Sequence, residues 1–235
     1  MMKKVTLGNT IKEYEPGRTY EEIIKENYPE LAEQIILVKV NGKLEELAKK
    51  IKRDCTVEPV FFSDNPGYNS YRRSTTFMML KAIYDLYTRE EIGKVRVEFS
   101  AGAGYFCTLD GKLKVDKTFT ERVEARMKEY AAEAIPIKKE VINTQEAIAK
   151  FAEYGMDDKA ALFRYRRASK VNIYSIGGFQ DYYYGYMVPN TGYLKWFAME
   201  PFEDGFILQF PKREKWAAVP PVKFSKKVFD VLRNS

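Results

Sequence analysis

Residues 35–47 read IILVKVNGKLEEL, a strand-like apolar run, an Asn-Gly pair and a short Leu-bearing return. Asn41-Gly42 between two such runs leaves little alternative to a tight antiparallel hairpin, because Asn and Gly are the residues that tolerate the positive φ such a turn demands. A second turn signal stands at the start of the chain. VTLGNTIKEY places Gly8 and Asn9 between two short runs and reads as another hairpin. The first 62 residues are thus committed early to a small sheet.

Between the hairpins lies PGRTYEEIIKENYPE, in which Thr19 can cap a helix and Glu22, three residues on, completes a capping box. Tyr20, Ile23, Ile24 and Tyr28 give that helix one apolar face. CTVEPVFF closes the segment as a last strand, with Pro59 expected at a sheet edge because proline cannot donate to a ladder. The order β-β-α-β-β is that of a ubiquitin-like β-grasp. SDNPGYNS, residues 63–70, concentrates Asp, Asn, Pro and Gly and is expected to be a linker.

Beyond it the pattern predicts a helix in YRRSTTFMMLKAIYDLY, with Phe77, Leu80, Ile83-Tyr84 and Tyr87 on one side, and strands in VRVEFSAGAGYFCTLDGKLKV with Asp110-Gly111 as their hairpin turn. TFTERVEARMKEYAAEA reads as an amphipathic helix, IPIKKEVI as a strand, and NTQEAIAKFAEYG as a helix capped by Asn143 or Thr144 and stopped at Gly155. DDKAALFRYRR is a further helical turn, and the last third returns to strands before a Pro-bearing end. Both parts are α+β.

Charge is distributed unevenly. Residues 1–64 hold 11 basic and 12 acidic side chains, so the whole net excess of +6 belongs to the remainder. That excess permits an anionic partner such as RNA or a nucleotide, and is equally what a solvated basic face produces. Cys55 and Cys107 are far apart, without CxxC spacing, which argues against a disulfide framework or zinc ribbon and for a reducing, cytoplasmic compartment. MMKKVTLGNTIKEYEPG lacks an apolar signal core, and no run of about 18 apolar residues offers a membrane span.

Two passages carry a family likeness. IILVKVNGKLEELAKKIKRDCTVEPV resembles a TGS domain. YRRSTTFMMLKAIYDLY, GYFCTLDG, the RMKEY helix, IPIKKEVINTQEAIAKF and GGFQDYYYGYMVPNTGYLKWF resemble the second additional domain of threonyl-tRNA synthetase, which edits mischarged tRNA. The combination of these two units with the strings YRRS, LFRYRR, VNIY and DYYYGYMVP looks most like the N-terminal half of bacterial uridine kinase-type nucleoside kinases. The resemblance implies a TGS-like β-grasp domain over 1–63, an editing-like α+β domain over 64–215, and a tail over 216–235 leading toward a P-loop kinase domain. No G-x-x-x-x-G-K-[ST] stands in the chain, so phosphorylation by that route is not expected of these residues.

In editing domains H-x-x-x-H on the first helix and C-x-x-x-H on the later strand converge on one pocket. Aligned on RSTTF and YYGYM, those positions hold Arg73, Phe77, Tyr183 and Met187, and the chain contains no histidine. A cation, a ring, a phenol and a thioether do not make a zinc site, so no metal or cofactor and no catalytic set are expected. Asp181 and Lys159 match the family pocket.

DYYYGYMVPNTGYL reads as a β-strand with Tyr182, Tyr184 and Tyr186 on one face and Asp181 and Tyr183 on the other, or as a pocket wall in which Tyr183 stacks on a ring. Arg73 suits a carboxylate or phosphate ligand, or pairs with Asp181 and plugs the pocket. Arg164, Tyr165, Arg166, Arg167 and Lys170 form a basic patch with an interleaved aromatic, suited to RNA. Cys107 is expected to be a buried, inert thiol. The leading expectation is a non-catalytic RNA- or nucleotide-binding regulatory module. The alternatives are a free-standing hydrolase of misacylated tRNA, working through Asp181, Lys159 and water, and a purely structural, oligomerising unit.

Overall fold

A computed structural model describes all 235 residues. Strands β1 (Lys3–Leu7) and β2 (Thr10–Tyr14) form the first hairpin, and α1 (Tyr20–Asn27) follows, its N-terminus held by the Thr19 side chain accepting from the Glu22 amide. The reciprocal half of the expected capping box is absent, because the Glu22 carboxylate accepts from Arg18 instead. β3 (Ile35–Val40) and β4 (Lys43–Glu46) flank the Asn41-Gly42 turn, where both residues adopt positive φ, at 51° and 80°. β5 (Cys55–Phe61) completes a five-stranded sheet in the order β2-β1-β5-β3-β4. Ile23, Ile24, Val5, Val38 and Val57 form its buried core with α1.

β5 is therefore central, which corrects the edge placement of Pro59. β1 pairs with β5 only at Cys55 and Thr56, whereas β3 pairs with Pro59 through Val38. At Pro59 the ladder has outrun β1, so the missing N–H leaves no broken pair on that side.

The expected linker at 63–70 is also corrected. Helix α2 (Asn65–Leu86) follows β5 after only three residues, with Asp64 at the N-cap and Pro66 in the first turn, a position where proline's missing donor is harmless. Gly67 lies so close to the end of β5 that a Cβ would stand 2.1 Å from the Phe61 carbonyl oxygen. The short helix α3 (Arg89–Ile92), capped reciprocally by Thr88 and Glu91, was not anticipated.

β6 (Val95–Ala101) and β7 (Gly104–Leu109) form a hairpin whose turn is Gly102-Ala103, not Asp110-Gly111. Gly102 supplies the positive φ, 58°; Asp110 pairs instead with Arg96, and the Gly111 amide donates to the Ile92 carbonyl. After α4 (Lys117–Glu133) come β8 (Ile137–Asn143), α5 (Thr144–Glu153) with Asn143 as its cap, α6 (Asp157–Arg164), β9 (Lys170–Ile176) and β10 (Phe179–Tyr182). β11 (Ala198–Phe202), β12 (Gly205–Gln209) and α7 (Lys226–Arg233) end the chain.

Two antiparallel sheets result, β10-β9-β8 and β11-β12-β7-β6. The largest core joins Ile36, Leu37 and Phe62 from the first 62 residues to Phe77 and Met78 of α2 and Phe206 of β12. α5 and α6 cover one sheet through Phe151 and Phe163. α7 lies on the other, its Phe229 buried against Phe106 and Phe202, so the end of the chain packs back on the fold. No helix is long and apolar enough to cross a membrane.

Candidate functional site

The tyrosine-rich segment leaves the sheet after Tyr182, which corrects the continuous strand expected through Tyr186. Residues 183–190 form an anchored loop instead. Arg73 and Ser70 of α2 both donate to the Tyr186 carbonyl, at 2.8 and 2.9 Å, the Met187 amide donates to Glu46 at 2.8 Å, and the Val188 amide donates to the Ser74 hydroxyl at 3.1 Å. Once its backbone groups are satisfied by a helix and a carboxylate, the segment has no need of a neighbouring strand. Gly185 makes the approach feasible: a Cβ there would lie 2.0 Å from the Arg73 guanidinium carbon.

This loop, α2, α3 and the start of α6 enclose a cavity of about 830 Å³. Of the four positions aligned on the family's ligand set, the structure divides two from two. Phe77 and Met187 are buried in the core, Met187 with its sulfur 3.2 Å from the Ser74 hydroxyl, whereas Arg73 and Tyr183 line the cavity. No three His, Cys, Asp or Glu side chains are grouped as a metal site requires. Burial lowers the Arg73 guanidinium below its ordinary pKa and pushes the Tyr183 phenol well above its own.

Asp181 is 6% exposed, and its partner is Lys159 at 2.6 Å, not Arg73, which corrects the expected Arg73–Asp181 plug. Arg73 forms no salt bridge and has the Tyr186 carbonyl as its hydrogen-bond partner. The floor is aromatic, with Tyr84 and Phe179 stacked at 5.7 Å and Tyr183 edge-on to Phe77 at 5.2 Å. Lys94 at the wall pairs with Asp158 at 2.7 Å, which holds the Asp158 carboxyl below its usual range.

The basic patch meets the cavity wall through Arg166 and Tyr184. Arg164, Tyr165, Arg167 and Lys170 are exposed, Tyr165 at 89%, and none of the three cations among them is in a salt bridge. Arg166 is turned inward over Tyr184, 4.3 Å from its ring, and Tyr184 is itself a wall residue at 72% exposure. Cys107 is buried in β7, its thiol pushed up by burial. Glu98, Asp110 and Glu140 are separately occupied by Thr108, Arg96 and Lys150.

Glu46 escaped the sequence reading. At 5% exposure it accepts from the Tyr174 hydroxyl at 2.9 Å and the Met187 amide, with Lys139 at 3.6 Å, and so ties β4 to the cavity loop. In sequence it is one of two adjacent glutamates after a turn, with nothing to mark the partner that selects it.

No family model matches the chain. Among curated proteins it is similar to the threonine–tRNA ligase of Carboxydothermus hydrogenoformans, 27% identical over 221 residues that make up 94% of this chain and 34% of that protein. The threonine–tRNA ligase of Desulforamulus reducens is 30% identical over 196 residues, 83% of this chain and 30% of its own length. That of Parabacteroides distasonis is 26% identical over 228 residues, covering 96% and 35%. The chain is homologous to the N-terminal third of threonine–tRNA ligases. It spans about a third of the length of these relatives, and its α+β fold, a β-grasp sheet followed by further α+β layers, is consistent with their TGS and editing region.

Proposed function

We propose that the chain is a non-catalytic recognition module that binds RNA or a nucleotide in a cavity derived from an editing pocket. One observation carries this reading. Arg73 is a half-buried guanidinium without a carboxylate partner, facing a cavity of about 830 Å³ whose other walls include Tyr183, Tyr84 and Lys159. A partly dry, unneutralised arginine favours an anion, and the ring-lined floor favours a planar group beside it. The homology to threonine–tRNA ligases supports RNA as the natural class, with Arg164, Tyr165, Arg166, Arg167 and Lys170 as the basic patch and Arg166 lying over Tyr184 of the cavity wall. In this reading 1–63 is a TGS-like domain, 64–215 the editing-like domain, and the place of action a reducing cytoplasm. A nucleoside-kinase context for the module rests on the sequence resemblance alone; the relatives named above are ligases.

A thermal-shift screen of the chain against uridine and cytidine phosphates, ATP, threonine, serine and tRNA tests the proposal, since a ligand that binds only the native state must raise the melting temperature. The expected result is a shift with a phosphate-bearing ligand that Arg73→Ala removes. Equal shifts in both proteins would take Arg73 out of the site, and no shift with any ligand would leave the tyrosines as packing.

The Lys159–Asp181 pair at 2.6 Å inside the cavity, together with the ligase homology, favours one second reading, hydrolysis of misacylated tRNA with Asp181 positioning water. Single-turnover deacylation of seryl-tRNA by the chain, compared with Asp181→Asn, decides it; release of serine no faster than in buffer disposes of it.

A further inference from the structure

Arg72 and Arg73 are neighbours on α2, and they serve different cavities. Arg73 faces the cavity described above. Arg72 lies in a separate groove of about 430 Å³ between the first two turns of α2, the β6–β7 turn and the segment after β12. Arg72 lies over the Tyr68 ring, its guanidinium carbon 4.3 Å from the centroid, with the Tyr105 ring at 5.5 Å. Its terminal nitrogen donates to Asn69 at 2.7 Å, yet its buried Nε has no hydrogen-bond partner. No carboxylate pairs with Arg72, so its charge is left unneutralised at the groove.

The groove's other charged groups leave room for an acceptor. Lys212 forms no salt bridge, Arg213 donates to Asn65 and has only Glu214 at 3.9 Å, and Glu214 is the sole carboxylate among the groove residues. Three cations against one exposed carboxylate give a net positive groove, and two asparagines, Asn65 and Asn69, add neutral polar groups. Tyr68 is fixed in turn, its hydroxyl donating to the Pro211 carbonyl at 2.9 Å, which also secures the strand end that carries Lys212 and Arg213.

We propose that this groove is a second anion site, specific for a phosphate group, with Arg72 as its fixed guanidinium and Lys212 and Arg213 as mobile cations closing over the ligand. A planar fork placed over a ring suits the oxygens of a phosphate, while long surface cations supply charge at little geometric cost. The same chemistry serves a free phosphate compound or a phosphodiester of an RNA strand. It is independent of Arg73, so a failure here leaves the first cavity's assignment untouched.

The test is calorimetric titration of the full chain with pyrophosphate and, separately, with a short single-stranded RNA, both at low salt, using wild type, Arg72→Gln, the double variant Lys212→Gln/Arg213→Gln, and Arg73→Ala. Saturable pyrophosphate binding that weakens at least tenfold in Arg72→Gln and in the double variant, but persists in Arg73→Ala, is the expected result and identifies a free phosphate compound as ligand. Binding of RNA alone with the same variant pattern assigns the site to a strand phosphate. The double variant alters only surface side chains, so it keeps the test decisive if Arg72→Gln fails to fold. Wild-type affinity in either groove variant, or binding of neither probe to the wild type, overturns the site.

Discussion

Gly185 shows how a single missing side chain sets the shape of a cavity. The Arg73 guanidinium occupies the volume a Cβ would take, with 2.0 Å between the two positions, and from there it reaches the Tyr186 carbonyl. Gly185→Ala must displace the guanidinium or the loop. The expected outcome is loss of the ligand-induced melting shift, as severe as in Arg73→Ala, together with destabilisation of about 1–3 kcal/mol from overpacking; a denaturant titration in parallel with the ligand screen checks both. Asp181 behaves differently, because its charge is already matched by Lys159 at 2.6 Å. Of the four cations that line the cavity, Lys159 and Lys94 are paired with Asp181 and Asp158, whereas Arg73 and Arg89 have no carboxylate partner.

Elements are joined here by polar contacts as much as by apolar packing. β4 ends in Glu46, whose carboxylate holds the Tyr174 hydroxyl of β9 and the Met187 amide of the cavity loop. Hydrogen bonds to a charged group contribute about 1.5–3 kcal/mol each, and removing the carboxylate strands the buried Met187 amide and leaves the Tyr174 hydroxyl only the Gly185 carbonyl at 3.3 Å. Glu46→Ala is expected to lower stability by about 3 kcal/mol and to raise amide exchange at residues 183–188 above that of β9; unchanged exchange in the loop would show that α2 alone supports it. The same elements show what the sequence discloses. Gly8-Asn9, Asn41-Gly42, Thr19 and Asn143 announce their turns and caps by local chemistry, and the structure places them as read. Asp110-Gly111 and SDNPGYNS are composed like turns, but Gly102 and the N-terminal turn of α2 claim those roles through contacts that no local window contains. In the site, the family resemblance points to Arg73, Tyr183, Lys159 and Asp181, which line the cavity, and equally to Phe77 and Met187, which are buried in the core. Tyr84, Phe179 and Lys94 join the first four only because α2, β10 and the start of β6 meet in space.

For the molecule as a whole, the lack of histidine has a measurable result. No side chain of ordinary pKa near 6.5 changes charge between pH 5 and 8, so the melting temperature is expected to be flat over that interval. Arg96, Lys94 and Arg233 hold Asp110, Asp158 and Asp204 below their usual values by hydrogen-bonding to the charged form. Folded pKa values below the unfolded one mean stability that is present above pH ~4 and lost as pH falls through the folded values. On the alkaline side the sign reverses. Burial raises the Cys55 and Cys107 thiols and pushes Tyr20 and Tyr130 up to about 12. Their contribution is complete below the unfolded values and declines from pH ~8.5 for the thiols and ~10 for the phenols. Thermal melts from pH 3 to 11 should trace that plateau with two shoulders, and a step near pH 6.5 would contradict it. The junction at Ser63-Asp64 matters at the same scale. With Gly67 pressed against the Phe61 carbonyl, the five-stranded sheet is mounted on α2 like a crank on a shaft. Any partner that twists the sheet turns the shaft beneath both arginines at once, so a load on the first 62 residues is transmitted to two cavities that share no wall.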